Sequence, residues 1–480
     1  MGLEGTSGER RTRRRLLGAG AGRVAAGAAG VVGLAGAGCG AAQSGTPPAP
    51  GASALTGTAS LLVRTNNNEN RYQSEAVVPA VRQQFPNLTV EVVAVPAGDA
   101  YLDKYTTLQA AGTPPELFSA YGTGFPDYYF MGGVADLTGY IARDKIDLTT
   151  YLPQVKDVVD TVYKRGGRIY ALPNFTSHGW FVLYNAELLA QAGLRPPPVD
   201  WEDRTWTWDV FLDYARRLTR NAGTPDVVFG TSPYATGATM PELSTWLAGD
   251  GAFKPEHYKQ GVATTSNFDA AAVIDGMQLQ QDLMWRHRVA PTPAERTALS
   301  GLGNLFNVGR QAMSITSAIP TATAITAFKW GAAAVPRYRD NKVGVYIQPW
   351  MIAGGAKNAE GGWAVLKYMA SEAGQRAWYQ ITSQSPASKV VHQEWLKSVE
   401  AFVPPADLAR LSDGADRHSQ LVGSHAFVSW AKIQTAFADE AHAVQAHTLA
   451  PRDFVARAKP KTDAVIADVK RQAEARFGAR

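Results

Sequence analysis

The spacing of apolar residues along the chain alternates between short runs and helical stripes, which predicts strands and helices in turn. Residues 59–65 form an apolar run that ends in five polar residues, Asn66-Asn67-Asn68-Glu69-Asn70. A helix is predicted next, with Val77, Val81 and Phe85 on its buried face, and then a strand over 88–95. Residues 104–111 lead through Gly112-Thr113-Pro114-Pro115-Glu116-Leu117 to a third strand ending at Ala120. Strand alternating with helix predicts a parallel, doubly wound body, whose ligands lie beyond the strand carboxyl ends. Here those ends are residues 66–69 and 121–125.

The pattern is densest over residues 168–219. Gly166-Gly167 supplies a tight turn into a hairpin arm with Ile169, Ala171 and Leu172 as strand residues. Pro173 is expected to stop that strand, leaving 174–178 as a short polar bend before a second strand over 180–184. A short helix over 186–192 can end at Gly193, and Pro196-Pro197-Pro198 prevents its resumption. Thr207 then caps a helix whose apolar residues Trp208, Phe211, Leu212, Ala215 and Leu218 recur at spacings of three and four. A polar bend between two strands in mid-chain suggests two bodies joined by a crossing segment.

Further on, 227–231 reads as a strand running into Ser232-Pro233-Tyr234, followed by a helix carrying Trp246. Residues 268–285 form a long helical stretch, 312–315 a strand, 316–329 another helix and 332–336 a short strand. Residues 343–355 are expected to be a second crossing. Beyond it lie an amphipathic helix over 362–369 and two helices over 431–449 and 453–476, assigned to packing across the backs of the bodies.

These landmarks carry a resemblance. Gly-Arg-Ile-Tyr-Ala-Leu-Pro at 167–173, Leu183-Tyr184-Asn185, Ala192-Gly193-Leu194 and Thr207-Trp208-Asp209 are similar to the family 1 extracellular solute-binding proteins. Phe306, Gly309 and Ala312-Met313 match that family's strand entry, and Ser371-Glu372-Ala373-Gly374-Gln375 with Pro386-Ala387-Ser388 its C-terminal signature. Glu116 stands where the family has aspartate. The ordered set spans about residues 60–390. The resemblance implies an α/β, two-lobe periplasmic-binding-protein-like fold of type II, each lobe a mainly parallel sheet flanked by helices. Residues 58–177 with 350–415 would form the N-terminal lobe, and 178–349 with 416–480 the C-terminal lobe. The ligand would lie in the cleft at the hinge.

Charge and cysteine change the picture at the N-terminus. The chain of 480 residues carries a formal charge of +5, but residues 1–38 hold six Arg and two Glu. Without them 41 basic side chains face 40 acidic ones, so a nucleic-acid partner loses its main support. Cys39 is the only cysteine, which excludes an internal disulfide and a multi-cysteine zinc site. Arg13 and Arg14, followed by Leu16-Leu17, resemble a twin-arginine export signal. The uncharged stretch 24–38 is too short and weakly apolar for a membrane span. Its end, Leu34-Ala35-Gly36-Ala37-Gly38-Cys39, resembles a lipoprotein cleavage site, departing from it at Gly36. Residues 1–38 thus read as a signal segment, and 39–57 as an acylated cysteine and flexible tether. The expected location is the outer face of the cytoplasmic membrane, lipid-anchored.

No catalytic motif stands out: there is no G-x-S-x-G, H-E-x-x-H, phosphate loop or dinucleotide fingerprint. The eight histidines have no metal-type spacing, and no metal or cofactor is expected. What the chain does offer is aromatic side chains beside polar bends, a combination suited to sugar rings with apolar faces and hydroxyl rims. The candidates are Asn67, Glu69, Tyr121, Phe175, His178, Tyr234, Trp246, Trp350 and Trp430. Trp180, Trp208, Trp363 and Trp378 read as core. His178 stands where sugar-binding relatives often carry an acid. The resemblance implies a monomeric, non-enzymatic receptor that delivers a carbohydrate to the permease subunits of an ABC importer. The alternatives are a receptor for a polyamine or oligopeptide, and an exported hydrolase.

Overall fold

The computed structural model describes residues 55–120, 124–177, 181–236, 239–260, 263–316, 325, 327–428 and 430–477. Eleven strands occur among them: β1 Gly57–Arg64, β2 Leu88–Val95, β3 Leu117–Ser119, β4 Lys164–Arg165, β5 Arg168–Ile169, β6 Leu172–Ser177, β7 Phe181–Asn185, β8 Met313–Thr316, β9 Trp330–Ala333, β10 Val343–Ile352 and β11 Ser419–Leu421.

The first sheet begins as the spacing predicts. β1 pairs in parallel with β2 from Gly57–Leu88 to Arg64–Val95, and in parallel with β3 on its other side. The crossovers are helical, through Asn67–Tyr72 and Val78–Gln84 and then Asp99–Ala110. β10 returns antiparallel against β3, placing Trp350 opposite Ser119. It also pairs antiparallel with β6 and parallel with β11, giving a six-stranded sheet.

Here two expectations are corrected. Pro173 does not stop its strand, and 174–177 is not a bend: β6 runs straight through the proline. Pro173 faces Pro349 across the ladder, and the register shifts between Ile347 and Pro349. Neither proline has an N–H to donate, so an irregularity at that point costs the ladder little. Residues 343–352 are a strand over their whole length rather than a bare crossing. The lobe boundary expected at 349/350 therefore falls within β10.

The second sheet is built around β7, with β8 on one side and β9 on the other. Both neighbours are antiparallel to it, so the mainly parallel arrangement expected of each lobe holds for β1–β3 and not here. β7 carries the chain outward and β9 carries it back toward β10, which fixes their opposite directions. The stretch 227–231 makes only isolated bridges, Arg220–Val228 and Phe229–Gln311. Most of the helix expected over 316–329 lies outside the described residues.

Helix Trp208–Leu218 buries its stripe as its sequence requires, with Ala215 close against Gly230: Thr207 Oγ1 accepts from Val210 N at 3.3 Å, and all five stripe residues are buried. Trp363 and Trp378 are core residues, as their helical spacing predicts. Trp201 donates from Nε1 to the Leu411 carbonyl at 3.1 Å. It lies on helix Pro405–His418 at Gly414, where a Cβ would overlap the indole. Among the described residues no helix is long and apolar enough to cross a membrane.

A buried charge network fastens helix Ala359–Ala370 to the first body. Asp144 accepts from Arg143 Nε at 2.9 Å, Trp363 Nε1 at 2.8 Å and Lys367 Nζ at 2.9 Å, while Arg143 also reaches Glu360 at 2.8 Å. Burial alone would raise the Asp144 carboxyl, but the three donors outweigh it and hold it below the usual range. A carboxylate with a lowered folded pKa stabilises the fold above its unfolded value of about 4, and that contribution disappears as pH falls. Melting temperature measured from pH 6 down to pH 3 should therefore fall less steeply in Asp144→Asn, which has no such proton to take up.

Candidate functional site

Strand order in the parallel part of the first sheet is β2-β1-β3, so the chain passes from β1 to β2 on one side and then returns to β3 on the other, all three strands running the same way. At such a switch point the loops leaving two adjacent strands diverge and open a crevice at their carboxyl ends. Arg64 ends β1 on this edge, and Ser119 ends β3.

The chain leaving β1 turns at once into a helix because Asn66 caps it, its Oδ1 accepting from Glu69 N at 3.1 Å. This brings the Glu69 side chain back under β1. Its carboxylate is only 3% exposed and is held by Arg64, whose Nε lies 2.9 and 3.0 Å from the two oxygens. The Arg64 side chain itself keeps 32% exposure, so the pair has a buried anion and a cation facing the crevice. Asn67 is exposed beside it.

β10 supplies the opposite wall. The Tyr346 hydroxyl approaches the Ala120 carbonyl at 3.5 Å, and the phenol is pushed upward by burial, then lowered by Arg64 and raised by Glu69. Tyr346 therefore stays a neutral donor and acceptor. Underneath, Tyr101 donates to Leu62 O at 2.7 Å and accepts from Ser119 N at 3.2 Å. Ser119 Oγ donates to Pro349 O at 2.5 Å, and Gln348 Nε2 donates to Ser119 Oγ. The floor of the crevice is thus tied together by Tyr101 of helix Asp99–Ala110, Ser119 of β3 and Gln348 of β10, with the β1 backbone accepting at Leu62. A narrow apolar crevice lined by Phe125, Tyr163, Tyr346 and Leu421 continues from this edge.

The structure places the sequence candidates unevenly. It gathers Asn67 and Glu69 at the mouth. Phe175 is 4% exposed and stacks on Trp378 at 4.5 Å, behind β6. Trp350 has no exposed surface and donates to Asn174 Oδ1 at 2.8 Å, so in this conformation it is core. Trp246, 2% exposed, lies in the helical layer of the second body and is also core. Tyr234 is 3% exposed and bridges inward, its hydroxyl accepting from Gly344 N at 3.5 Å and its own N–H meeting Gln280 Oε1 at 2.6 Å. Trp430 begins helix Trp430–Gln445, and its side chain lies outside the described residues, as do Tyr121 and His178. Arg64 and Tyr346 were not anticipated. A lone Arg ending an apolar strand, five residues before an acid, is the signal that points to the first.

The family model for bacterial extracellular solute-binding proteins matches residues 68–376. That span covers more than half of the chain. The chain belongs to the bacterial extracellular solute-binding protein family. No curated protein matches the sequence. Solved structures share the two-lobe α/β fold. The ABC substrate-binding protein Lmo0181 of Listeria monocytogenes, in complex with cycloalternan, superposes with a TM-score of 0.71 at 20% identity, covering 86% of this chain and 100% of that one. The GacH receptor of Streptomyces glaucescens, solved unliganded and with acarbose, gives 0.68 at 21% identity over 86% and 99%. The maltodextrin-binding domain MalE of Bdellovibrio bacteriovorus, bound to maltotriose, gives 0.68 at 15% identity over 86% and 100%. Members of the family are extracellular binding proteins, which makes this an exported chain.

One further arrangement invites a catalytic reading. Ser385 Oγ lies 2.9 Å from His392 Nδ1, whose Nε2 lies 3.1 Å from Ser412 Oγ. All three residues are 5% exposed or less, so the cluster ties helices Lys389–Ser398 and Pro405–His418 together out of reach of a solute. Among the described residues no group of three or more His, Cys, Asp or Glu is placed to hold a metal.

Proposed function

We propose that this chain is a carbohydrate receptor that binds its ligand between two lobes, without chemistry, and delivers it to the permease of an ABC importer. The observation that carries the reading is the switch-point crevice, with Arg64 and Tyr346 presenting fixed hydrogen-bonding groups on one edge of the first sheet. A sugar is recognised by such preset donors and acceptors together with aromatic surface. The solved relatives' saccharide ligands support the same class. Glu69 is already neutralised by Arg64, which disfavours the polyamine alternative, since a polycation needs unpaired acids. Asn67, Tyr121, His178 and Trp430 remain proposed ligand contacts from the sequence. Phe175, Tyr234, Trp246 and Trp350 are all buried and are not kept as contacts in this proposal.

The division into lobes 58–177 with 350–415 and 178–349 with 416–480 belongs to this proposal, with the whole of β10 better counted in the first. A carbohydrate library tested by thermal shift should yield at least one sugar that raises Tm in a dose-dependent way. At 100 times its dissociation constant a ligand adds ~2.7 kcal/mol. No response to any sugar, with a clear response to an oligopeptide or polyamine, would replace this reading.

The anchoring belongs to the proposal as well. Arg13 and Arg14 would direct export and Cys39 would carry lipid as the mature first residue. Cys39→Ala should then move the protein from the membrane pellet to the soluble extracytoplasmic fraction. Membrane fractionation unchanged by this substitution would remove the anchor.

A further inference from the structure

Behind the crevice, polar side chains collect where a packed core should have none. Tyr72, Gln73, Thr176 and Trp378 are 0% exposed, and Asn174 is 1% exposed. The Tyr72 hydroxyl, both amide atoms of Gln73, Asn174 Nδ2, Thr176 Oγ1 and Trp378 Nε1 lack a well-formed hydrogen bond among the described residues. Native proteins leave few buried polar atoms unpaired, because each such atom costs about 1–3 kcal/mol.

These atoms come from elements in mutual contact. The Tyr72 ring meets the edge of Trp378 at 5.0 Å, and Trp378 stacks on Phe175 at 4.5 Å, between Asn174 and Thr176 on β6. Asn174 reaches the Tyr72 hydroxyl, so these two groups partly answer one another, while Gln73, Thr176 and Trp378 are left without a partner among the described residues. The Asn174 amide has one possible orientation. Its Oδ1 accepts from the Trp350 indole, which can only donate, so Nδ2 must point the other way. Gln73 is where the helix widens: Gln73–Val77 is a π turn, closed by Val78 N–H reaching the Gln73 carbonyl. Such turns hold an extra residue in one helical turn and recur where a helix must open a local space.

We propose that this seam is an internal hydration site, in which ordered water bonds Tyr72, Gln73, Asn174, Thr176 and Trp378. The chemistry selects the occupant. Three of the atoms are N–H donors, one is a carbonyl acceptor and two are hydroxyls, so the ligand must both accept and donate. None of the five side chains is charged at neutral pH, so nothing there balances an ion. Water meets both conditions and needs two to four such partners. The seam lies one helical turn behind Glu69 on the same helix and holds β6 through Asn174. Its hydration thereby connects the crevice floor to the strand that runs into the first crossing.

Two near-isosteric substitutions in the full chain test this by the sign of their effect. If water bonds the seam, Gln73→Met and Thr176→Val each remove a made hydrogen bond, and Tm should fall in both by roughly 1–3 °C. If the seam is dry, each removes an unpaired buried polar group, and Tm should rise or stay. A rise or no change in either variant overturns the proposal. A high-resolution crystal structure gives an independent readout: solvent density within hydrogen-bond distance of the Gln73 amide is expected, and its absence there would overturn the proposal as well.

Discussion

Arg64→Ala is expected to destabilise the folded chain by about 3–5 kcal/mol, measured by denaturant unfolding. The size follows from which partner is left behind. Glu69 is 3% exposed on its side chain, whereas Arg64 keeps 32%. Removing the cation strands a carboxylate that has no route to water, and breaking a buried pair from one side is costly for that reason. Glu69→Gln is the contrasting variant, because it leaves a half-exposed guanidinium that water can solvate. It should lose far less stability. Equal losses from the two substitutions would show that packing, and not the stranded charge, sets the effect. Arg64→Ala should also weaken carbohydrate binding, read at a temperature where the variant remains folded.

Trp350→Ala is expected to cost a similar amount, about 3–5 kcal/mol, as a large buried aromatic truncated in a tight core. Trp350 sits in β10 opposite Ser119 and Leu172 and is closed off from solvent on both faces of the sheet. Trp350→Phe keeps most of the volume but loses the 2.8 Å bond to Asn174, so a loss of about 1 kcal/mol is expected. Normal stability in Trp350→Ala with a thirtyfold loss of affinity would return this residue to the ligand site.

What the sequence disclosed follows from where the physics is local. Periodicity placed β1, β2 and the stripe of helix Trp208–Leu218, because each buries one face and its residue spacing says so. The family landmarks added the order of the elements. Strand β6 was misread because Pro173 is a reliable breaker only when its neighbour needs an N–H. Opposite Pro349 none is needed, and that pairing joins residues far apart in the chain. The site was half legible. A polar run after an apolar strand marked Asn67 and Glu69. Nothing local distinguishes a tryptophan in a crevice from one beneath it, so an aromatic near a polar bend, as Trp350 and Trp246 are, reads as a ligand contact even where this structure buries it. Tyr346 reaches the mouth only through the pairing of β10 with β3, a contact between residues over two hundred positions apart.

That pairing also has a consequence in time. β10 closes against β3, β6 and β11, which come from three widely separated parts of the chain. During synthesis β3 and β6 are made long before β10, and β11 comes later still. Until then the nascent first sheet presents open edges, the kind of surface on which chains join one another. Nearly the whole polypeptide must therefore leave the ribosome before this half of the protein can close. A chain interrupted between residues 185 and 343 would contain every residue of the Arg64–Glu69 mouth yet have no wall to face it. Such fragments should collect as aggregates rather than as half-receptors.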